Sequence, residues 1–313
     1  MDTDKEMAKV DELNRLNNSR DPNDIIRFYD HFNTPEELIE WSRNRPHGRA
    51  KIYTVKGDTD IVVVIPTADR HGEYAKNCEK EIFKGQQIVF VESGGRGDPY
   101  FNYARNCNIG LRYALRYKPR WIVLSNDDMY KIDNFSTLKT KLDNFDNKSI
   151  ESILINPEPE YYHSYPISLV KRTLASKFYR SLSKSRRIEE KLLDKFNARY
   201  SLIPVRKALK TIFLKVVYYP VLFNFYNVGD FAVFGSEFIK IKKGTLFDET
   251  FVSGWEDSTL SLSLTRTNSV DFKIGSRKGR VLGQNSLRNL RNIINKVYFS
   301  TVIKRSNKSN RLS

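Results

Sequence analysis

The sequence predicts an α/β protein in which a largely parallel sheet, flanked by helices, is interrupted by a basic helical insertion. Three observations carry this. Between residues 60 and 155, short β-branched runs alternate with helix-forming stretches, the rhythm that builds parallel sheets. From about 158 to 226 that rhythm gives way to basic, helix-like sequence, far too long for a connecting loop. Strand character then returns at Val228-Gly229-Asp230-Phe231-Ala232-Val233-Phe234.

The elements follow in order. Residues 1–58 form an N-terminal helical extension: Met7, Val10, Leu13 and Leu16 have helical spacing. Thr34-Pro35-Glu36-Glu37 reads as a helix start, with Thr34 as N-cap, Pro35 at the first helical position and Glu37 completing a capping box. Leu38, Ile39 and Trp41 give that helix its apolar side, and a basic turn follows from Arg43 to Arg49. Residues 59–157 hold four predicted strands: Asp60 to Pro66, Gln87 to Glu92, Trp121 to Ser125, and Ser152 to Ile155. The first is apolar enough to be buried on both faces. A helix is expected over Tyr103 to Tyr117, ending before Lys118-Pro119. Residues 158–226 are the insertion, 227–287 resume the core, and 288–313 form a basic C-terminal helix or tail. Another helix is expected to begin near Trp255 and to carry Leu260, Leu262 and Leu264.

Charge is large and uneven. The net charge is +16. Residues 171–215 hold fourteen Lys/Arg against three acids, and residues 288–313 hold seven Lys/Arg and no acid. Such a field attracts phosphorylated ligands, anionic lipid headgroups or nucleic acid, although two solvated basic helices have the same composition. The run Ile212 to Phe225 is broken by Lys215, Pro220 and Asn224, so it suits either a membrane surface or a buried helix and is too short to span a bilayer. Two cysteines, Cys78 and Cys107, cannot build a disulfide framework. With no apolar run near Met1, the expected setting is cytoplasmic, with peripheral association at the inner face of a membrane through 171–225 and 288–313.

Chemistry is concentrated where predicted strands end, because ligands of open α/β sheets bind beyond the carboxyl ends of the strands. Asn126-Asp127-Asp128 follows an apolar strand and offers hard oxygen donors suited to Mg²⁺ or Mn²⁺ bridging a diphosphate; an ordinary acidic turn contains the same residues. Glu256 and Asp257 follow Gly254-Trp255 at a helix start, where a carboxylate can act as general base or simply favour the helix dipole. Glu92-Ser93-Gly94-Gly95 joins a carboxylate to glycines that permit close backbone approach to a ligand, or is a plain Gly-rich turn. His163, among Tyr161, Tyr162 and Tyr165, suits packing better than sugar binding.

Order and spacing unite these pieces. Ile65-Pro66-Thr67, Glu92-Ser93-Gly94-Gly95, Ala104-Arg105-Asn106-Cys107-Asn108-Ile109-Gly110, Asn126-Asp127-Asp128, Phe247-Asp248-Glu249 and Gly254-Trp255-Glu256-Asp257 together resemble inverting glycosyltransferase family 2. The resemblance covers about 60–157 and 227–286. It implies a GT-A fold, a Rossmann-like mixed sheet flanked by helices, with 59–157 as the nucleotide-sugar-binding half and 227–287 as the acceptor and catalytic half. It implies Asp128 as metal ligand, with Asn126 where an aspartate is common, and Asp127 beside the donor. Glu92 and Ser93 would contact the nucleoside, Thr67 would line its pocket beside Pro66, and Arg105 would face the diphosphate. Asp257 would be the catalytic base, and Glu256 would orient it or touch the acceptor. The implied partners are Mg²⁺ or Mn²⁺, a nucleotide-diphosphate sugar and an acceptor that the sequence does not name.

The sequence departs from the family in one respect: many relatives carry a His after the acidic pair. Here all four His (His31, His47, His71, His163) precede it, and Gly283-Gln284-Asn285-Ser286 occupies that region. Two rival expectations stand beside this one. A catalytically inactive basic module would grip anionic lipid or nucleic acid, although no nucleic-acid motif is present and the acids would sit in the supposed groove. A nucleotidyltransferase would need a Gly-rich basic loop after the first strand, which Thr67-Ala68-Asp69-Arg70 matches poorly.

Overall fold

The computed structural model describes residues 2–94, 100–155, 159–162, 223–226, 229–252, 254–277, 291–295, 297–299 and 301–302. The chain divides into two compact units. One comprises Met1–Trp41, Tyr161–Asn224 and Asn285–Ser313; the other comprises Ser42–Glu160 and Phe225–Gln284.

In the first unit, α1 (Asp2–Asn18) is followed by α2 (Pro22–Asp30), and α3 (Pro35–Asn44) runs to the boundary. Asp21 caps α2 by accepting the Asn23 N–H at 2.9 Å, with Pro22 at the first helical position. At α3 the Thr34 hydroxyl accepts the Glu37 N–H at 3.2 Å as expected, but the Glu37 carboxylate reaches the N–H of Asn33 at 2.6 Å. Phe28 is fully buried, and its ring meets Tyr29, Phe32 and Trp41 edge-on, the arrangement aromatic quadrupoles favour. The Tyr29 hydroxyl donates to the Arg291 carbonyl at 3.1 Å and accepts the Ile294 N–H at 3.2 Å. The basic insertion, with His163 and most of the run 212–225, lies outside the described residues apart from 159–162 and 223–226; so do residues 278–290 and all those beyond 302.

The second unit holds the sheet. Its strands and helices are β1 (Lys51–Val55), β2 (Asp58–Thr67), α4 (Glu73–Asn77), β3 (Gln86–Glu92), α5 (Tyr103–Ala114), β4 (Trp121–Ser125), β5 (Met129–Lys131), α6 (Phe135–Leu142) and β6 (Ser152–Ile155). After the short pair β7 (Pro159–Tyr162) and β8 (Phe223–Tyr226) come β9 (Phe231–Gly235), α7 (Ser236–Ile241), α8 (Glu256–Ser263), β10 (Thr267–Val270) and β11 (Ile274–Ser276). A π-helical turn, Cys78–Ile82, prolongs α4, and a 3₁₀ turn, Leu115–Tyr117, closes α5.

Seven strands lie in the order β1-β3-β2-β4-β9-β6-β10. The sheet is mixed and flanked by helices, as the family resemblance implied, where the strand-helix rhythm alone argued for a parallel one. β2 pairs in parallel with β3 and β4, and β6 with β10, whereas β9 runs antiparallel to both its neighbours and β1 antiparallel to β3. The reversal of β9 follows from where the chain re-enters: the Asn126 N–H donates to the Asp230 carbonyl at 2.9 Å, so β9 starts where β4 ends. The strand β1 corrects the wholly helical reading of residues 1–58. Its link to β2 passes directly over the start of β3, and a Cβ at Gly57 would come within 2.3 Å of the Gln86 backbone, so only glycine fits there.

Apolar side chains cover both faces of the sheet. On one, Ile61, Val63, Ile65, Phe90 and Val123 pack with Ala75, Cys78, Phe83 and Leu138. On the other, Val62, Val64, Val91 and Leu124 pack with Ala104, Cys107, Leu111 and Leu260. α5 lies close on this second face, because a Cβ at Gly110 would fall 2.3 Å from Val64 Cγ1. One proline helps open the rim. Pro66 continues the ladder with β3 to Thr67, while pairing of β2 with β4 ends at Val64 and Leu124. Pro66 has no N–H to donate; pairing of β4 with β2 has stopped there while its pairing with β9 continues to Ser125, and the chain turns away through Asn126-Asp127-Asp128.

Candidate active site

The carboxyl ends of β2, β3 and β4 bring Thr67, Glu92 and the turn 126–128 to one rim. The register pairs Thr67 with Glu92. On the other side, the Thr67 hydroxyl donates to Asp127 Oδ2 at 2.6 Å, and the Cys78 thiol donates to the Asp127 carbonyl at 3.3 Å. Burial raises the Asp127 carboxyl above its ordinary value; the Thr67 hydrogen bond works against this and the neighbouring Asp128 adds to it. Two adjacent acids in a desolvated corner form a place where positive charge is favoured.

Glu92 accepts the backbone N–H of Arg70 at 2.8 Å. The Arg70 guanidinium lies 4.1 Å from the centre of the Phe90 ring and pairs with Glu79. The next residue, Ser93, is buried, and its hydroxyl accepts from Asn106 Nδ2 at 2.5 Å. Its position therefore ties β3 to α5. Pro66 is likewise buried within β2.

The N-terminal half of α5 links the two acidic pairs. The Tyr103 hydroxyl donates to Asn126 Oδ1 at 2.6 Å. Burial, then Cys107 and Glu256, hold the Tyr103 phenol well above its usual value; burial, then Glu256 and later Asp257, do the same to the Cys107 thiol. One turn apart on α5, these side chains lie within electrostatic reach of the acids that open α8. Leu260 of α8 packs in the same cluster as Ala104, Cys107 and Leu124. Thr67 and Glu92 thus share one register position with the turn 126–128 beside Thr67, and Tyr103, bonded to Asn126, lies within reach of the Glu256 charge.

At α8 the backbone is unusual. Gly254 has φ +109° and Trp255 φ +76°, a region that costs a bulky residue energy and concentrates at functional positions. Glu256 is 5% exposed, and its carboxylate accepts the Gly254 N–H at 2.6 Å. Asp257 is half-buried and accepts the N–H of Ser258 at 2.8 Å.

Arg105, expected at the diphosphate, is partly exposed. Its guanidinium lies 3.5 Å from Glu249, near His47, whose imidazole is held below its usual value by burial and then by Arg105. Asn106 and Asn108 of the same motif, and Asn102 just before it, are structural anchors. Asn102 caps α5 through the Arg105 N–H at 2.9 Å and donates to the Glu249 carbonyl at 2.7 Å. Asn108, fully buried, accepts the N–H groups of Leu246 and Phe247 and donates to the Phe247 carbonyl and to Glu249. Gly95, Gly97 and Gly283 to Ser286 lie outside the described residues.

No family model matches the chain, and no curated protein does. The site therefore stands on its own geometry. That geometry adds residues which the sequence did not single out. Tyr103 was legible only as a helix start. Arg277 has no local signal at all: β11 pairs antiparallel with β5, and the Arg277 N–H donates to the Asp128 carbonyl at 2.9 Å. Its guanidinium lies 5.3 Å from the centre of the Tyr74 ring and 3.9 Å from Glu73, which sets a cation directly across the ladder from Asp128.

Among the described residues no three His, Cys, Asp or Glu side chains group to hold a metal, and no helix is long and apolar enough to cross a membrane. The donor set at 126–128 is two carboxylates and an amide, all hard oxygen. That suits Mg²⁺ or Mn²⁺ that takes the rest of its shell from phosphate and water, the habit of Mg²⁺ in phosphate-handling sites.

Proposed function

We propose that the protein is an inverting glycosyltransferase of the GT-A type, moving a sugar from a nucleoside-diphosphate donor onto an acceptor hydroxyl. The observation that carries this reading is the linked set of contacts at the strand ends: the Thr67–Asp127 hydrogen bond and the Tyr103–Asn126 bond, with the Glu256 charge felt at Tyr103 and Cys107 of α5. The mixed sheet, with Glu92 and the turn 126–128 beyond the ends of the two strands that flank β2, is compatible with it.

In this reading the nucleoside lies beside Thr67 and Glu92, and the diphosphate lies against the turn 126–128. Asp128 and Asp127, with Asn126, would hold Mg²⁺ or Mn²⁺, which supplies neutralisation of the diphosphate charge as the sugar departs. Asp257 takes the proton of the acceptor hydroxyl. The acceptor oxygen forms its bond to the anomeric carbon on the face opposite the leaving group, and the bonding pair leaves with the nucleoside diphosphate. Glu256, held by the Gly254 N–H, fixes the helix start that aims Asp257. Arg277, opposite Asp128, adds positive charge where the leaving oxygen becomes anionic. The basic stretches 171–225 and 288–313 suit an acceptor presented at an anionic membrane surface.

The decisive experiment is a panel of UDP-, GDP- and dTDP-sugars with Mn²⁺ or Mg²⁺, followed by thermal shift and by release of free nucleotide. One nucleotide class should raise Tm only when metal is present and should be slowly hydrolysed. A flat response across the panel would overturn the assignment in favour of a basic binding module.

A further inference from the structure

The face that β5 and β11 present beside Asp128 has a use of its own. Met129 turns into the core, so Tyr130, the next residue of β5, stands on the opposite side of the strand, two residues beyond Asp128 in the turn. Tyr130 pairs with Gly275 across the ladder. Its ring lies directly on that glycine: a Cβ at Gly275 would come within 2.0 Å of Tyr130 Cζ. One ring face is thus seated on backbone, and the side chain remains 43% exposed. Ile132, two residues on, is 52% exposed. Of the four large exposed hydrophobic side chains among the described residues, Ile52, Tyr130, Ile132 and Ile241, two follow Asp128 within four positions.

Resting on the glycosyltransferase reading above, we propose that Tyr130 is the stacking platform for the acceptor and that the acceptor is itself a sugar. A pyranose offers one face of C–H bonds with partial positive charge, which the negative face of an aromatic ring attracts. Tyr130 follows the acidic turn by two residues, so a pyranose stacked on its ring lies beside that turn. A ring seated on Gly275 costs little further order on binding. Glu92 and Thr67, assigned to the nucleoside, lie on β3 and β2, which leaves β5 for the second substrate.

The test compares wild type with Tyr130→Ala and Tyr130→Phe. Binding of methyl glucoside, galactoside, mannoside and N-acetylglucosaminide is read by saturation-transfer NMR, and transfer and donor hydrolysis are read separately. Tyr130→Ala should weaken the NMR signal of whichever methyl glycoside wild type binds and raise its KM as acceptor about three- to tenfold, with metal-dependent hydrolysis of the donor unchanged. Tyr130→Phe, which keeps the ring, should behave as wild type. Equal loss of donor binding in Tyr130→Ala would assign the ring to the donor and overturn the proposal. So would unchanged glycoside binding in Tyr130→Ala, or no glycoside binding by wild type. If no nucleotide sugar is hydrolysed but the glycoside signal still depends on Tyr130, the glycosyltransferase reading fails and the sugar platform survives.

Discussion

Two acidic pairs carry the proposed chemistry, and they are held in different ways. In the turn after β4, Asp127 is desolvated and bonded by the Thr67 hydroxyl, while the chain beyond Asp128 runs straight into a paired strand. At the start of α8, Glu256 is buried and bonded by a backbone N–H, and the pair is launched from two residues with positive φ. In each pair a second acid, Asp128 or Asp257, follows the first. The first pair stands on a relaxed, sheet-anchored turn, as a site for a fixed charge requires; the second stands on a strained one, where a small backbone change re-aims a proton acceptor. The comparison assigns charge-holding to one pair and proton transfer to the other.

The sharpest way to break that division is to neutralise the second acid of each pair. Asp257→Asn should lower kcat for transfer by about a hundredfold to ten-thousandfold, the span a positioned acid or base supplies, while metal-dependent binding of donor, read by thermal shift or calorimetry, stays intact. Asp128→Asn should lose both transfer and the metal-dependent part of donor binding. If the two variants behave alike in the binding assay, the division of labour fails.

Much of this was legible in the sequence, and the rest was hidden for physical reasons. The runs at 60–66, 87–92, 121–125 and 152–155 are strands because continuous β-branched sequence has few alternatives. Those strands put Glu92 and Asn126 at their ends, so the rim could be anticipated. Strand direction could not: β9 is antiparallel because the insertion returns the chain beside Asn126, and local sequence does not encode that. Nor could cross-ladder neighbours be anticipated. Arg277 and Gly275 meet Asp128 and Tyr130 through the pairing of β11 with β5, more than a hundred residues apart in sequence. The motif at 104–110 was read for its arginine, yet its asparagines do most of the anchoring, because a buried amide with both ends bonded looks like any polar residue until its partners are known.

A second, smaller effect concerns the tied acid of the first pair. The Asp127 carboxyl has its folded-state pKa raised above the ordinary 3.8, chiefly by burial. A carboxyl raised on folding favours the folded state when protonated, so that contribution is present below about 3.8 and is lost as pH rises through the folded value. Asp127→Asn keeps an acceptor for the Thr67 hydroxyl and removes the buried charge. The variant should therefore melt higher than wild type at neutral pH without metal, and the gain should shrink to nothing as pH falls below the ordinary carboxylate range. Saturating Mn²⁺ with donor should reverse the order, because only wild type gains from binding. A variant less stable than wild type at neutral pH would show that the charge is compensated by contacts beyond Thr67.

The smallest effect tests the strain under the second pair. Gly254 at φ +109° can be adopted freely by glycine alone, so Gly254→Ala should destabilise the protein by about 1–3 kcal/mol. Trp255 at φ +76° already carries such a cost, and Trp255→Gly relieves about 1–2 kcal/mol of it. That relief is offset by lost ring contacts and a looser unfolded chain, so the net change in Tm should be slight. The activities should diverge from the stabilities. Gly254→Ala moves the N–H that holds Glu256, so kcat should fall while the donor KM stays as it was, because Thr67, Glu92 and Asp128 are untouched. An alanine at 254 that costs stability but leaves kcat unchanged would mean that the strained backbone supports the fold and not the aim of Asp257, and the contrast between the two acidic pairs would reduce to one of packing.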